Sequence, residues 1–212
     1  MTVSRKIRRH VALRLNEEYY DKLLQRRILL LTGDISGNCD CGEEEKNMIN
    51  KFSHSLLHLA AEQPSKKPIL IILNSSGDDV YMGFAIHDII TMLVKQSIDI
   101  NILANGMVAS LALVILQAGT KRLASSNSQF LMHQVKESIL FGTEETSEAE
   151  ERTRELRRIN NAMLGIIAER AGMGLEELFE LSTKTDVWFS AQDALKFGTK
   201  GLVDEVAVSF PL

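Results

Sequence analysis

Asn101-Ile-Leu-Ala-Asn-Gly106-Met-Val-Ala-Ser110-Leu-Ala-Leu-Val-Ile-Leu-Gln-Ala-Gly119 consists of two apolar runs joined through a polar break. The first run has the length of a buried strand. The second has the length of a helix and stops at Gly119, so the stretch predicts strand, break at Asn105-Gly106, helix. Ser110 stands where the break gives way to the second run. A serine at a helix N-terminus meets unpaired backbone N–H groups and the positive end of the helix dipole, which favour developing negative charge. An acyl-transfer nucleophile needs that environment, because its tetrahedral intermediate carries an oxyanion. The simplest alternative is an N-capping serine, which involves no chemistry. Catalysis at Ser110 therefore requires partners elsewhere in the chain.

Working outward, the same strand–helix grammar recurs. Ile28–Leu31 reads as a buried strand, and Asn47–Glu62 has apolar residues at helical spacing. Ile69–Leu73 is a continuously apolar strand, as expected where both faces of a parallel sheet are covered. It runs into Asn74-Ser-Ser-Gly77-Asp78-Asp79, and Val80–Val94 is an amphipathic helix with Asp78 or Asp79 as N-cap. Ile98–Leu103 leads to the Ser110 helix, Gln129–His133 is a further strand, and Ser147–Ala171 is a long helix, acid first and base later, stopped by Gly172. Short helices at Leu175–Leu181 and Ala191–Phe197 and the stretch Leu202–Val206 close the pattern. Alternation of this kind means an α/β fold with right-handed crossovers.

At 212 residues the chain suffices for one domain with an unstapled core. A hydrophobic share of 45%, a charged share of 25% and a net charge of −4 describe an ordinary globular protein and argue against nucleic acid as a partner. No window approaches a membrane span, and the basic start lacks an apolar core, so neither membrane insertion nor secretion is expected. Cys39 and Cys41, one residue apart in a polar loop, neither fill a zinc site nor staple a fold, and fit reduced thiols in the cytoplasm. His54 and His58 are four apart on one helix without a third ligand, so no metal is expected there.

Three strand ends carry polar residues: the Ser76-Gly77 turn, the Gly106–Ser110 turn and His133. In α/β sheets, ligand sites gather at strand carboxyl ends. A hydrolytic serine needs a neutral imidazole to accept its proton, and the imidazole needs a carboxylate to fix its tautomer. His133 is the best-placed base. His10 lies in a basic arm, His54 and His58 sit mid-helix, and His87 belongs to a helix with core spacing. Asp186, beside an apolar Val-Trp-Phe, is the candidate orienting acid, an assignment that spacing alone leaves open.

These segments resemble the ClpP serine peptidases. Gly106-Met-Val-Ala-Ser110-Leu111 is similar to the family's nucleophile motif, and Phe130-Leu-Met-His133-Gln134 to its histidine strand. Asp186-Val-Trp-Phe-Ser190-Ala191 resembles the segment carrying the third triad member, followed by Asp193–Gly198 and Leu202-Val203-Asp204 in the family's order. The resemblance covers about Tyr19 to Val206. It implies a crotonase/ClpP-like α/β fold of repeated β-β-α units with a protruding handle helix, and peptide-bond hydrolysis by Ser110, His133 and Asp186. Gly77, Asp78 and Leu111 would then lie about the oxyanion and substrate backbone. It further implies residues 1–18 as an axial arm and 19–212 as one peptidase domain, with the handle at about 134–171. Two stacked heptameric rings would enclose the sites. Unfolded protein or peptide substrates would be fed by an AAA+ unfoldase, with ATP used there and no cofactor in this subunit.

The chain departs from the family at defined places. The family's N-S-P-G-G-S loop reads Asn74-Ser75-Ser76-Gly77-Asp78-Asp79, so Asp78 must adopt a glycine's dihedrals. Its carboxylate would oppose a nearby oxyanion, on the order of 1 kcal/mol, which predicts damped activity. The segment Gln134–Leu140 lacks the family's Pro/Gly pair, Gly33–Ile69 is lengthened, and Ile72 replaces a Tyr that helps line the unfoldase docking pocket in many relatives. These departures keep a second reading in view, a weakly active or non-catalytic subunit in mixed rings with an active paralogue.

Overall fold

The computed structural model describes residues 18–35, 48–62, 67–135 and 146–211. Residues 1–17 of the expected arm, the Cys39–Cys41 loop and residues 136–145 of the anticipated handle lie outside the described residues. Among the described residues there are seven strands: β1 (Ile28–Thr32), β2 (Ile69–Ser75), β3 (Ile100–Ala109), β4 (Lys121–Ser125), β5 (Gln129–Met132), β6 (Val187–Ser190) and β7 (Glu205–Ala207). The helices are α1 (residues 18–25), α2 (Met48–Ala61), α3 (Val80–Lys95), α4 (Leu111–Gln117), α5 (Thr146–Ala171), α6 (Leu175–Lys184) and α7 (Ala191–Lys196).

The principal sheet runs β1-β2-β3-β4-β7, with every neighbour parallel. Alternate strand residues explain the layers. Leu29, Leu31, Ile69, Ile71, Ile100 and Ile102 point toward the helices and join the main core with α4. The opposite residues Ile28, Leu70, Leu103 and Leu123 form a smaller cluster with Leu23, Ile72 and Ala207. The second face is therefore only partly covered, and Leu30 stays 40% exposed.

β3 decides the rest. The expected break at Asn105-Gly106 is not a strand end, since the strand continues to Ala109. Leu73 faces Ala104 but Ser75 faces Val108, so β3 carries two extra residues over that interval. Gly106 takes φ 101° there, and the Met107 N–H donates to Asn74 Oδ1, 3.0 Å. This irregularity bends β3 out of the principal sheet. Its first half pairs with β4 (Asn101 to Ala104) and its second half with β5 (Met107 to Ala109). β6 then pairs antiparallel with β5. The same step appears at Ile35, which bridges Asp78. Each unit thus reads strand, second strand, helix, which is the β-β-α repeat of the crotonase/ClpP-like fold.

β4 has no counterpart in the sequence reading, because Lys-Arg-Leu-Ala-Ser hides a buried arginine, Arg122, in the middle of a strand. The handle helix α5 has a two-part character. No described residue of it before Ile159 is buried, whereas Ile159, Met163, Leu164, Ile167 and Ala171 are. Its C-terminal half is anchored to the core, and its N-terminal half is exposed or half-buried, with Glu155 accepting from the Tyr81 hydroxyl of α3 at 3.2 Å. Gly172, at φ 65°, ends it as expected.

Candidate active site

Ser110 links β3 to α4 with φ 54° and ψ −123°, a combination L-residues rarely adopt. Its side chain makes no capping hydrogen bond, which sets aside the capping alternative. A serine held on a strained strand-to-helix turn, its hydroxyl uncommitted to the helix, is the arrangement of a nucleophile elbow. The turn is pinned from outside. The Ser110 N–H donates to the Leu131 carbonyl on β5, 2.9 Å, two residues before His133. α4 below it is buried throughout, so the turn rests on solid core.

The 77–79 loop packs directly on this elbow. A Cβ on Gly77 would meet the Ala109 oxygen at 2.8 Å and the Leu111 nitrogen at 3.0 Å, so backbone approaches backbone with no room for a side chain. The Gly77 carbonyl accepts from Ile35 N–H, 2.7 Å, and Asp79 N–H donates to the Ile35 carbonyl, 2.8 Å. Leu111 is the first residue of α4, where the N–H has no intrahelical partner. Asp78 and Leu111 line the same cleft as Ser110. Asp78 takes the glycine-like φ of 116° anticipated from the sequence. Asp79 is the N-cap of α3, accepting from Tyr81 and Met82 N–H groups.

His133 follows β5 immediately. Its Nδ1–H donates to the Gln134 carbonyl, 2.6 Å. A carbonyl only accepts, so Nδ1 holds the proton and the neutral ring presents its lone pair at Nε2, as a general base requires. The antiparallel register pairs Met132 with Val187. Continued one step, it sets Asp186 opposite His133 across the end of the β5–β6 ladder. Asp186 is exposed, and the flanking Val-Trp-Phe is less buried than its composition implies, with Phe189 buried and Trp188 58% exposed. In this conformation the Gln134 carbonyl holds the imidazole proton that the triad reading assigns to Asp186.

Ser110, Leu111, His133 and Asp78 share one cleft of about 380 Å³ with Asp34, Ser76, Val80 and Val135. Neither Gly77 nor Asp186 is among the lining residues. Asp34 is the member that sequence reading overlooked. It closes the Thr32-Gly33-Asp34 strand end, and the strand-end rule applied to β1 would have found it. Its carboxylate accepts from the Ser76 hydroxyl. Burial first, then the Asp34 and Asp79 carboxylates, hold the Asp78 carboxyl above the ordinary carboxylate range. Among the described residues no three His, Cys, Asp or Glu side chains are grouped to hold a metal. His58 faces Glu62 (3.4 Å) and His87 faces Asp88 (3.0 Å), so the remaining described histidines are engaged away from the cleft, with His54 on α2.

Comparison with known proteins agrees with this fold. The Clp protease family profile matches residues 14–209. The ATP-dependent Clp protease proteolytic subunit of Streptococcus sanguinis (strain SK36) is 32% identical over 191 residues, 89% of this chain and 88% of the relative. That of Streptococcus pneumoniae (strain ATCC BAA-255 / R6) is 31% identical over the same length and shares of the two chains. The solved structure of a point mutant of ClpP1 from Listeria monocytogenes superposes with a TM-score of 0.72 at 26% identity, covering 89% of this chain and 95% of that one. The fold and site define a serine endopeptidase of the crotonase-like α/β class. The chain belongs to the Clp protease family, as a divergent ClpP-type proteolytic subunit.

Proposed function

We propose that this protein cleaves peptide bonds with Ser110 as nucleophile, His133 as general base and acid, and the backbone N–H groups of Asp78 and Leu111 as oxyanion donors. Asp186 supports the imidazole from the β6 end. The observation carrying this reading is the shared cleft: an elbow serine free of capping duty beside a histidine whose proton is held on Nδ1. His133 Nε2 takes the Ser110 proton as Oγ attacks the carbonyl carbon. The carbonyl oxygen gains charge against the two N–H donors, and the imidazolium then protonates the leaving amine. No cofactor enters this scheme.

Family membership extends the proposal to the assembly. Two stacked heptameric rings enclose the sites, an AAA+ unfoldase supplies unfolded chains at the expense of ATP, and the complex works in the cytoplasm. No helix among the described residues is long and apolar enough to cross a membrane, in keeping with such a location. Asp78 tempers the activity rather than removing it, because a backbone N–H survives any side chain.

The test is fluorophosphonate labelling read by intact mass. One adduct on the wild type and none on Ser110→Ala supports the reading. An assembled, folded wild type that takes no adduct overturns it in favour of a ring-building, non-catalytic subunit.

A further inference from the structure

We propose that Asn160, at the start of the anchored half of α5, is a positioning residue for His133 and acts through a single peptide group. The inference rests on the peptidase reading above. The Gln134 carbonyl accepts the His133 Nδ1–H at 2.6 Å. The N–H of that same peptide unit, carried by Val135, donates to Asn160 Oδ1 at 3.3 Å. A peptide group is planar, so its carbonyl cannot rotate without moving its N–H. Asn160 therefore sets the orientation of the carbonyl that holds the imidazole.

The choice of residue supports a specific role. Asn160 is only 7% exposed, and its neighbours on the same helix, Ile159, Met163 and Leu164, are buried hydrophobics. Packing alone would place an aliphatic residue there, since a buried amide costs free energy unless it is bonded. Only the oxygen of the amide accepts from an N–H, so this bond also fixes which way the side chain faces.

The chemistry follows from the direction of the chain. Asn160 Oδ1 accepts from the peptide N–H, and the peptide oxygen accepts from Nδ1–H. Both bonds polarise the amide in the same sense and strengthen each other. When His133 takes the Ser110 proton, the Nδ1–H becomes a charged donor and its bond to the carbonyl strengthens further. The contribution of Asn160 therefore falls on proton transfer and not on peptide binding. It also gives the handle helix a direct connection to the catalytic base.

The assembled full-length protein is compared as wild type, Asn160→Leu, Asn160→Ala and Asn160→Asp. Asn160→Leu keeps the volume and loses the acceptor, Asn160→Asp keeps an acceptor oxygen, and Asn160→Ala serves if the leucine variant does not assemble. With a fluorogenic peptide, the leucine and alanine variants should lose about tenfold in kcat with KM within about twofold, and should label Ser110 with fluorophosphonate correspondingly slowly. Asn160→Asp should stay within about threefold of wild type. Wild-type labelling by the leucine or alanine variant, an aspartate variant as slow as they are, or losses that simply follow melting temperature across all three would overturn the inference while leaving the peptidase reading intact. A wild type that does not label at Ser110 would overturn both.

Discussion

A Cβ placed on Gly77 would stand 3.0 Å from the Cβ of Ser110, so the 77–79 loop and the Ser110 turn meet with no room for a side chain between them. Gly77 also sits at φ 94°, where an L-side chain is strained. Gly77→Ala should push the Asp78 N–H out of line with the elbow and cost about 10²-fold in kcat, the scale of losing one oxyanion donor. Peptidase assays on the assembled variant check this. An activity near wild type would remove the 77–79 loop from the site.

Asp78 combines a glycine-like φ with a carboxylate in the cleft. Asp78→Gly should relieve strain of about 1 kcal/mol or more, and raise kcat/KM roughly threefold or more by removing a charge that opposes the oxyanion. Unchanged or lower turnover would sink this account.

The pH dependence at the same residue has a definite sign. Burial and the Asp34 and Asp79 carboxylates raise the folded-state pKa of Asp78, so its ionised form is the one folding disfavours. The resulting instability is present at neutral pH, declines as pH falls through the folded pKa, and is gone below the unfolded value near 3.9. Asp78→Asn should raise the melting temperature at pH 7 and leave it unchanged at pH 3. Thermal melts across that range provide the check.

Asp186 follows from the register Met132–Val187, which sets it opposite His133. Since the Gln134 carbonyl already holds Nδ1–H, Asp186→Asn should cost about tenfold in kcat, well short of the roughly 10⁴-fold seen where a triad carboxylate alone fixes the tautomer. A loss near 10⁴-fold would show that the reacting state exchanges the carbonyl for the carboxylate.

Arg122, 2% exposed, ties the C-terminal end of α4 to residues 200–204. Its guanidinium bonds Asp204, Gln117 Oε1 at the end of α4 (2.7 Å) and the Gly201 carbonyl (2.9 Å). Burial pushes the Asp204 carboxyl up, but its hydrogen bonds and charge pairing with Arg122 hold it below the ordinary value. Asp204 therefore stabilises the fold above the unfolded carboxylate pKa near 3.9 and loses that contribution as pH drops through its folded pKa. Asp204→Ala should leave a buried unpaired cation and cost about 3–5 kcal/mol, a fall of about 10 °C in melting temperature. A shift within about 2 °C would show that the carbonyls alone satisfy Arg122.

The sequence alone determined the grammar of this protein. Continuous apolar runs specified the parallel strands Ile28–Thr32 and Ile69–Ser75. The apolar run from Leu111 specified the helix beneath the nucleophile, and the residues at strand ends identified Ser110 and His133 as partners. These are local signals, because burial imposes hydrophobicity residue by residue and turns impose glycine. Tertiary structure alone decided what depends on pairing across distance. The two extra residues in β3 send one strand through two sheets, and a strand built around a buried cation, β4, has no apolar signature. The carbonyl at Gln134 holds His133 because Asn160, 26 positions further on, holds the same peptide. A main-chain acceptor leaves no mark in a sequence, since every residue has one, and only the fold selects which of them meets the histidine.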